Sequence, residues 1–284
     1  MAKAFSVLSW NVEHFGATAK GARKPRKPVK PIIDLIAKQK ADVIAIYEVV
    51  GKEVFQSVSQ ALPNYQFHIT EGPQTQEILI GVKQGLSAFF TQKTEFKSGN
   101  SSLRPGALLT ITKDGASYPL LFLHLKSLTT PRGFGLRDDM IQRSLDFKKT
   151  LDKALAEIDS SDNPANFIAM GDLNTMGMNL SYSKKDISGI EEIERLDQRM
   201  KPKSISMRRL SKSADATWWP GSNSSYSPSN LDHVLAASHL KFKNFSGAEV
   251  DVRGWTEAAT DTDKDKWAEK FSDHALLYFE VQKV

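Results

Sequence analysis

Cysteine is absent from all 284 residues of the chain. The protein therefore has no disulfide framework, no thiolate nucleophile and no thiolate metal ligand. Any metal ion that it binds must be held by oxygen or imidazole ligands.

Long apolar runs are also missing. The longest apolar stretches, 42–50 and 119–125, fall far short of the roughly 18 residues that cross a bilayer. Segment 1–16 carries polar residues where a signal peptide has its small-residue cleavage site, which indicates a first strand instead. We expect a monomeric protein without a membrane span, cytoplasmic, or secreted if a signal peptide has already been removed.

The charge balance is moderately basic, with a net charge of +5 and a pI near 9.1. Such an excess favours acidic partners such as nucleic acid. The segment 20–31, KGARKPRKPVKP, concentrates basic residues and contains no acid. It is either a solvated loop, as charge runs usually are, or a phosphate-binding segment. The candidate phosphate contacts are Arg23, Lys24, Arg26 and Lys27.

Composition and periodicity predict a globular α/β protein, with 40% hydrophobic and 25% charged residues. Apolar and β-branched runs predict strands at 4–11, 42–48, 64–70, 77–83, 106–113, 118–125, 166–171, 231–236 and 275–281. Amphipathic stretches predict helices at 31–38, 51–61 and about 136–158. The region 176–230 is rich in Ser, Lys and Arg, and we interpret it as loops and short helices inserted within one domain spanning 1–284.

Polar side chains stand at the boundaries of six of these predicted strands. One such residue means little, because polar residues ordinarily resume where a strand ends. The set as a whole, in its order along the chain, is more informative. Its members are Asn11, Glu13, Glu48, His124, Lys126, Asp172, Asn174, Asp232, Asp273 and His274.

In this order the residues resemble the endonuclease/exonuclease/phosphatase superfamily. The resemblance extends from SWNVEHFG to SDHALLYFEV, and the HLKS and GDLN blocks are most similar to those of bacterial metal-dependent nucleases. It implies a four-layer αββα sandwich, in which two packed, mostly antiparallel sheets are flanked by helices, with the site at one edge. The apolar strand at 166–171 would then end at the site, to which it delivers Asp172 and Asn174.

Phosphodiester hydrolysis requires an attacking water, neutralisation of charge on the phosphoryl oxygens and help for the departing alkoxide. Mg²⁺ prefers carboxylate and amide oxygens. The resemblance implies a metal site at Glu48 and Asn11, with Glu13 and Asp273 as additional acidic ligands. Mg²⁺ is the expected ion, and Mn²⁺ and Ca²⁺ are alternatives.

The resemblance also assigns groups that would act on the water and the phosphate. Asp172 is expected to orient or deprotonate the attacking water, and Asn174 to hold water or phosphate through its amide. His274 is expected to contact the scissile phosphate, with Asp232 as its orienting carboxylate, an arrangement that favours the imidazolium. Which of Asp172 and the Asp232/His274 pair takes the proton is left open.

Four further residues are expected near the leaving group and the flanking phosphates. His124 corresponds to a second imidazole of the family, and Glu77 to its acidic partner in deoxyribonuclease I-like members. Arg104 corresponds to a phosphate-contacting arginine. Lys126, in the same block as His124, is an additional candidate for phosphate binding.

Some positions differ from the family pattern. Tyr47 replaces the common Gln before the metal-binding Glu, so the usual hydrogen bonding of that Gln is in doubt. Abasic-site endonucleases carry a Tyr in place of His124 and a Trp where this chain has Ser229 and Asn230, so the abasic pocket is not expected. Trp218 and Trp219 either stack on bases or pack in the core.

We therefore predict a Mg²⁺-dependent phosphodiester hydrolase acting on nucleic acid, specifically a DNA endonuclease that leaves 5′-phosphate ends as its relatives do. The alternative is an enzyme for a small-molecule or lipid phosphoester, such as sphingomyelin or an inositol phosphate. A binding protein that has lost the chemistry is disfavoured, because no expected catalytic position is vacant.

Overall fold

A computed structural model of the protein describes residues 2–16, 27–158, 163–180, 182 and 185–283. The predicted phosphate contacts Arg23, Lys24 and Arg26 lie outside these residues. The chain forms two compact units. Unit 1 comprises Met1–Leu86, Ser211–Ser229 and Phe242–Lys283, and unit 2 comprises Ser87–Leu210 and Asn230–Lys241.

The described residues form twelve strands and five α-helices. The strands are β1 (Lys3–Phe15), β2 (Val43–Val49), β3 (Tyr65–Ile69), β4 (Glu77–Lys83), β5 (Ser87–Lys93), β6 (Gly106–Lys113), β7 (Ala116–His124), β8 (Ile168–Asp172), β9 (Met207–Arg209), β10 (Asp232–Ala237), β11 (Asp251–Arg253) and β12 (Leu276–Gln282). The helices are α1 (Val29–Gln39), α2 (Lys52–Ala61), α3 (Pro131–Ile158), α4 (Gly189–Met200) and α5 (Asp261–Lys270). Within the described ranges, no helix has the length and apolarity needed to cross a membrane.

Unit 1 contains a six-stranded sheet in the order β11-β12-β1-β2-β4-β3. Strands β1 and β2 are parallel, and the other neighbouring pairs are antiparallel. Helix α1 makes the crossover that a parallel connection requires. It buries Ile32, Ile33 and Ile36 on one face, and α2 buries Val54 and Val58. These side chains form one apolar cluster with residues of the sheet.

A carboxylate at the start of β2 fixes its register against β1. Asp42 Oδ2 accepts hydrogen bonds from the Ser6 N–H at 2.9 Å, the Ser6 hydroxyl at 2.8 Å and the Lys3 ammonium at 2.8 Å. Burial raises the pKa of this carboxyl, but the hydrogen bonds from Lys3 and Ser6 outweigh burial and lower its pKa below the ordinary value. The parallel pair is therefore anchored at one end, and its register determines which residues meet at the other.

Unit 2 contains a second six-stranded sheet in the order β5-β6-β7-β8-β10-β9. Strands β7 and β8 are parallel and joined by α3, and the other neighbouring pairs are antiparallel. Helix α3 buries Met140, Ile141 and Leu145. Helix α4 buries Ile193 and Leu196. Both helices contribute to one apolar cluster with the sheet.

All nine predicted strands and all three predicted helices are confirmed, as is the fold class of mostly antiparallel sheets with flanking helices. The sequence did not predict β5, β9, β11 or α5. Region 176–230 contains α4 and β9 between loops. Helix α4 begins with a capping box between Ser188 and Glu191, an S-x-x-E signal that is readable in the sequence. The assignment of 1–284 to a single domain stays a prediction.

Candidate active site

Asn11 and Glu48 meet at the ends of the parallel strands of unit 1. The register pairs Asn11 with Tyr47, and Asn11 Nδ2 donates a hydrogen bond to Glu48 Oε1 at 3.2 Å. Register irregularities occur on both sides of Glu48, between β1 and β2 and between β2 and β4. Glu48 has a φ of 61°. Irregularities of this kind redirect a side chain, and strained conformations of residues other than glycine collect at functional sites.

The Glu48 carboxylate is held by two further donors. Its Oε2 accepts from Gln76 Nε2 at 2.6 Å and from the His14 backbone N–H at 3.0 Å. Tyr47, at the position of the family glutamine, shares a hydrogen bond of 3.0 Å with the Ser9 hydroxyl in the core. Gln76 thus gives Glu48 a side-chain amide donor from a different part of the chain. Gln76 could not be predicted from the sequence, since a polar residue before a strand carries no distinguishing signal.

Glu13 and Lys27 form an ion pair in unit 1. Lys27 Nζ lies 3.1 Å from Glu13 Oε2 and donates to the Ala268 and Glu269 carbonyls at the end of α5. Lys27 is only 7% exposed. The Lys27 ammonium is a buried structural cation. This corrects the prediction that Lys27 is exposed in the basic segment for contact with phosphate. The Glu13 carboxylate faces this ammonium, and its role as a metal ligand stays a prediction.

Segment 272–274 is fixed to β1 by hydrogen bonds. The Ser272 hydroxyl donates to the Asn11 carbonyl at 2.7 Å, and Trp10 Nε1 donates to the His274 carbonyl at 2.8 Å. Asp273 Oδ2 accepts from Trp218 Nε1 at 3.1 Å. The side chain of His274 is buried. Trp218 therefore holds an expected site carboxylate through its indole.

Two other predicted residues of unit 1 have well-defined surroundings. Trp219 is buried and packs against Trp255 in a tilted arrangement, with 5.6 Å between ring centroids, so it lies in the core. Glu77 Oε2 accepts hydrogen bonds from the Thr70 hydroxyl at 2.6 Å and Gln74 Nε2 at 2.7 Å. Its pairing with His124 stays a prediction.

Three strand ends meet in unit 2. The β7–β8 register pairs His124 with Asp172, and the β8–β10 register pairs Asp232 with Asp172. His124 Nε2 lies 3.5 Å from Asp172 Oδ2. All three side chains are buried, which is uncommon for ionisable groups outside functional sites. Strand pairing thus brings together three residues that are far apart in the sequence.

Asn174 forms a tight turn with Asp172. Its backbone N–H donates to Asp172 Oδ1 at 3.0 Å, and its Nδ2 donates to the Leu125 carbonyl at 3.2 Å. Its φ is 50°, a conformation that Asn tolerates better than most residues. The two residues that follow the apolar strand are therefore in contact, and both are buried.

Arg137 on α3 is a fully buried cation that connects two loops of unit 2. It donates to both Glu192 carboxylate oxygens, at 2.9 and 2.8 Å, and to the carbonyls of Lys126, Leu128 and Gly177, at 3.2, 2.7 and 2.7 Å. Lys126 and Leu128 follow β7, and Gly177 follows β8. The loops that extend from His124 and from Asp172 are thus anchored to one guanidinium. The burial of Arg137 could not be predicted from the sequence, because Arg on an amphipathic helix is usually exposed.

Lys126 and Arg104 are both partly exposed. Lys126 is two residues beyond His124, with its carbonyl held by Arg137. Arg104 lies in the loop before β6. Contacts of their charged groups with phosphate stay predictions.

The groups in each unit match the needs of phosphoester hydrolysis. Unit 1 provides a carboxylate in contact with a side-chain amide, and carboxylate and amide oxygens are ligand types that suit a hard cation such as Mg²⁺. Unit 2 provides an imidazole and two carboxylates within one group of strand ends. These are the groups that metal-assisted hydrolysis of a phosphoester uses.

The sequence model of the endonuclease/exonuclease/phosphatase family matches residues 8–274. The chain therefore belongs to this family and is a phosphoester hydrolase. A search of curated protein sequences gave no significant match.

Solved structures of the same fold include a truncated TDP2 from Caenorhabditis elegans, with 16% identity, a TM-score of 0.64 and 98% of each chain covered. TDP2 from D. rerio, complexed with a single-strand DNA product, has 15% identity and a TM-score of 0.62, with 98% of this chain and 99% of that chain covered. The human Nocturnin catalytic domain, with a bound sulfate anion, has 14% identity and a TM-score of 0.60, with 99% and 95% covered. At these identities the similarity shows the fold alone.

Proposed function

We propose that the protein is a metal-dependent phosphodiester hydrolase that acts on nucleic acid, as a DNA endonuclease that leaves 5′-phosphate ends. The main supporting observation is the Asn11–Glu48 pair, because Glu48 has a strained backbone and its carboxylate accepts three hydrogen bonds. The choice of nucleic acid is supported by the net charge of +5 and by the D. rerio TDP2 complex with a DNA product.

In this proposal Asn11 and Glu48 hold a Mg²⁺ ion, and Asp273 is an additional acidic ligand. The bound ion would neutralise charge on the phosphoryl oxygens. Carboxylate oxygens are preferred ligands of Mg²⁺, and the hydrogen bonds from Asn11, Gln76 and the His14 N–H would orient the Glu48 carboxylate toward the ion.

The other site residues act on the proton and the phosphate. Asp172 accepts the Asn174 N–H through Oδ1, and we propose that its other oxygen orients the attacking water. His274, oriented by Asp232, would donate to the phosphate, and His124 would serve the leaving group.

The direct test incubates the protein with supercoiled plasmid, linear duplex DNA, single-stranded DNA and RNA, each with Mg²⁺ and with EDTA. We expect Mg²⁺-dependent conversion of supercoiled plasmid to open circles, with ends that a ligase can rejoin. Parallel assays contain bis(p-nitrophenyl) phosphate, sphingomyelin and inositol phosphates. Hydrolysis of a lipid or inositol phosphate without cleavage of any nucleic acid would replace this proposal with the small-substrate alternative.

The basic segment supplies a separate prediction. Changing Arg23, Lys24 and Arg26 to Ser should weaken DNA binding. It should also reduce the steepness of the slope of log affinity against log salt concentration, by up to about 2.7 if each residue neutralises one phosphate of a duplex. Lys27 is left unchanged because it is buried against Glu13. The measurement is a salt titration of DNA binding in an Asp172→Asn background, so that the DNA is not cleaved.

The matched control changes three exposed lysines, Lys201, Lys203 and Lys241, to Ser. This control lowers the net charge by the same amount as the basic-segment variant. It should leave more of the slope of log affinity against log salt concentration intact. Equal slopes for the two triple variants would identify the basic segment as a solvated loop.

A further inference from the structure

His14 lies at the end of β1 beside the carboxylate assigned to the metal. Its backbone N–H donates to Glu48 Oε2 at 3.0 Å, and its φ is 51°. This left-handed conformation is uncommon outside glycine. In this conformation, His14 contacts Glu48 through its backbone N–H and Gln76 through its imidazole.

The Gln76 amide determines which imidazole nitrogen carries the proton. Gln76 Nε2 lies 2.6 Å from Glu48 Oε2 and 2.9 Å from His14 Nδ1. A carboxylate only accepts hydrogen bonds, so the amide group that faces Glu48 must be the NH₂ group. Its second hydrogen then faces His14 Nδ1, which must act as an acceptor. This contact favours the arrangement in which the imidazole carries its hydrogen on Nε2.

The protonated nitrogen is available to a ligand. The His14 side chain is 63% exposed, and its Nε2 has no hydrogen-bond partner among residues 2–16, 27–158, 163–180, 182 and 185–283. A ring nitrogen that carries hydrogen has no lone pair for a metal ion, so His14 Nε2 in this arrangement is a hydrogen-bond donor and not a cation ligand. The Nε2–H group of His14 can therefore donate a hydrogen bond to an anionic oxygen bound beside Glu48.

We propose that His14 is a further catalytic residue, whose Nε2–H donates a hydrogen bond to a non-bridging oxygen of the scissile phosphate. Gln76 is its positioning residue and holds the ring in the required tautomer. This inference rests on the proposed phosphodiester hydrolysis. It adds a hydrogen-bond donor held in place before substrate arrives, the kind of group that stabilises charge as it develops in a transition state.

The test compares His14→Asn with wild type, because Asn tolerates the left-handed backbone but its shorter amide does not extend as far as the imidazole Nε2. On bis(p-nitrophenyl) phosphate, kcat should fall by about 10²-fold, as for loss of one oxyanion donor. The dissociation constant for Mg²⁺, measured by thermal stabilisation without substrate, should stay nearly unchanged. His14→Gln, which restores a longer donor, should recover part of kcat.

Gln76→Met keeps the side-chain length and removes both donors. It should lower kcat and also weaken Mg²⁺ binding, because it releases Glu48 as well as His14. The matched control is His68→Asn on β3, a partly exposed histidine of the same unit, which should behave as wild type.

Several outcomes would overturn the inference. An active wild type with unchanged kcat in His14→Asn would exclude the contact, as would a fall in kcat explained wholly by weaker Mg²⁺ binding. Nitrogen NMR of the metal-free protein should show the hydrogen of His14 on Nε2, and a hydrogen on Nδ1 would contradict the Gln76 geometry. A wild type inactive on every phosphodiester would instead reject the proposed function, and with it the role of His14.

Discussion

Glu48→Gln is expected to lower kcat for phosphodiester hydrolysis by about 10³-fold or more, which corresponds to about 4 kcal/mol of transition-state stabilisation. The substitution removes the negative charge that would bind the cation and keeps the volume of the side chain. Its three hydrogen bonds come from Asn11, Gln76 and the His14 N–H, and the remaining oxygen can still accept some of them. We therefore expect a folded, inactive protein.

The measurement is turnover of DNA and of bis(p-nitrophenyl) phosphate against Mg²⁺ concentration, with unfolding followed by circular dichroism. The matched control is Glu53→Gln, an exposed carboxylate in the first turn of α2, which should change neither quantity. Wild-type activity at the wild-type Mg²⁺ optimum in Glu48→Gln would remove this residue from the site.

Arg137→Met is expected to destabilise the protein by about 3–5 kcal/mol, the range for breaking a buried ion pair by removing one partner. The Glu192 carboxylate, only 5% exposed, would lose its cation. The carbonyls of Lys126, Leu128 and Gly177 would lose their donor. The double variant Arg137→Met/Glu192→Met should recover part of the loss, because it no longer buries an unpaired charge.

The free energy of unfolding in urea measures this effect. Arg143→Met is the matched control, since Arg143 lies on the same helix and pairs with Asp139 at 2.7 Å, with both side chains about two-fifths exposed. Exposed pairs contribute about 0–1 kcal/mol. Equal destabilisation by the two substitutions would show that Arg137 does not anchor the loops.

The strand ends were the most predictable part of the site. Asp172 and Asn174 directly follow a buried apolar strand, so their place at a sheet edge could be read locally. Their contacts could not, because His124 faces Asp172 through strand register, which depends on pairing between segments distant in sequence. The φ of 61° at Glu48 likewise could not be predicted, because no local sequence pattern indicates it.

Elements and residues with weak local signals were missed for physical reasons. Strands β9 and β11 have three residues each, which is too few to show the alternation of apolar and polar residues that predicts a strand. Helix α5 has no buried residue, so it lacks the apolar stripe that predicts a helix. Lys27 belongs to a run of like charges that is typical of a surface, and only its contacts with Glu13 and the end of α5 show it to be buried.

The pairing of β1 with β12 has a consequence for the timing of folding. The hydrogen bond between Trp10 and His274 joins residues 264 positions apart. Closing so long a loop is slow and requires nearly all of the intervening chain. During synthesis, Asn11 and Glu48 leave the ribosome before Ser272 and His274, whose segment braces the end of β1. A nascent chain would therefore lack the completed sheet edge around Asn11 and Glu48 until β12 has been synthesised and has docked on β1.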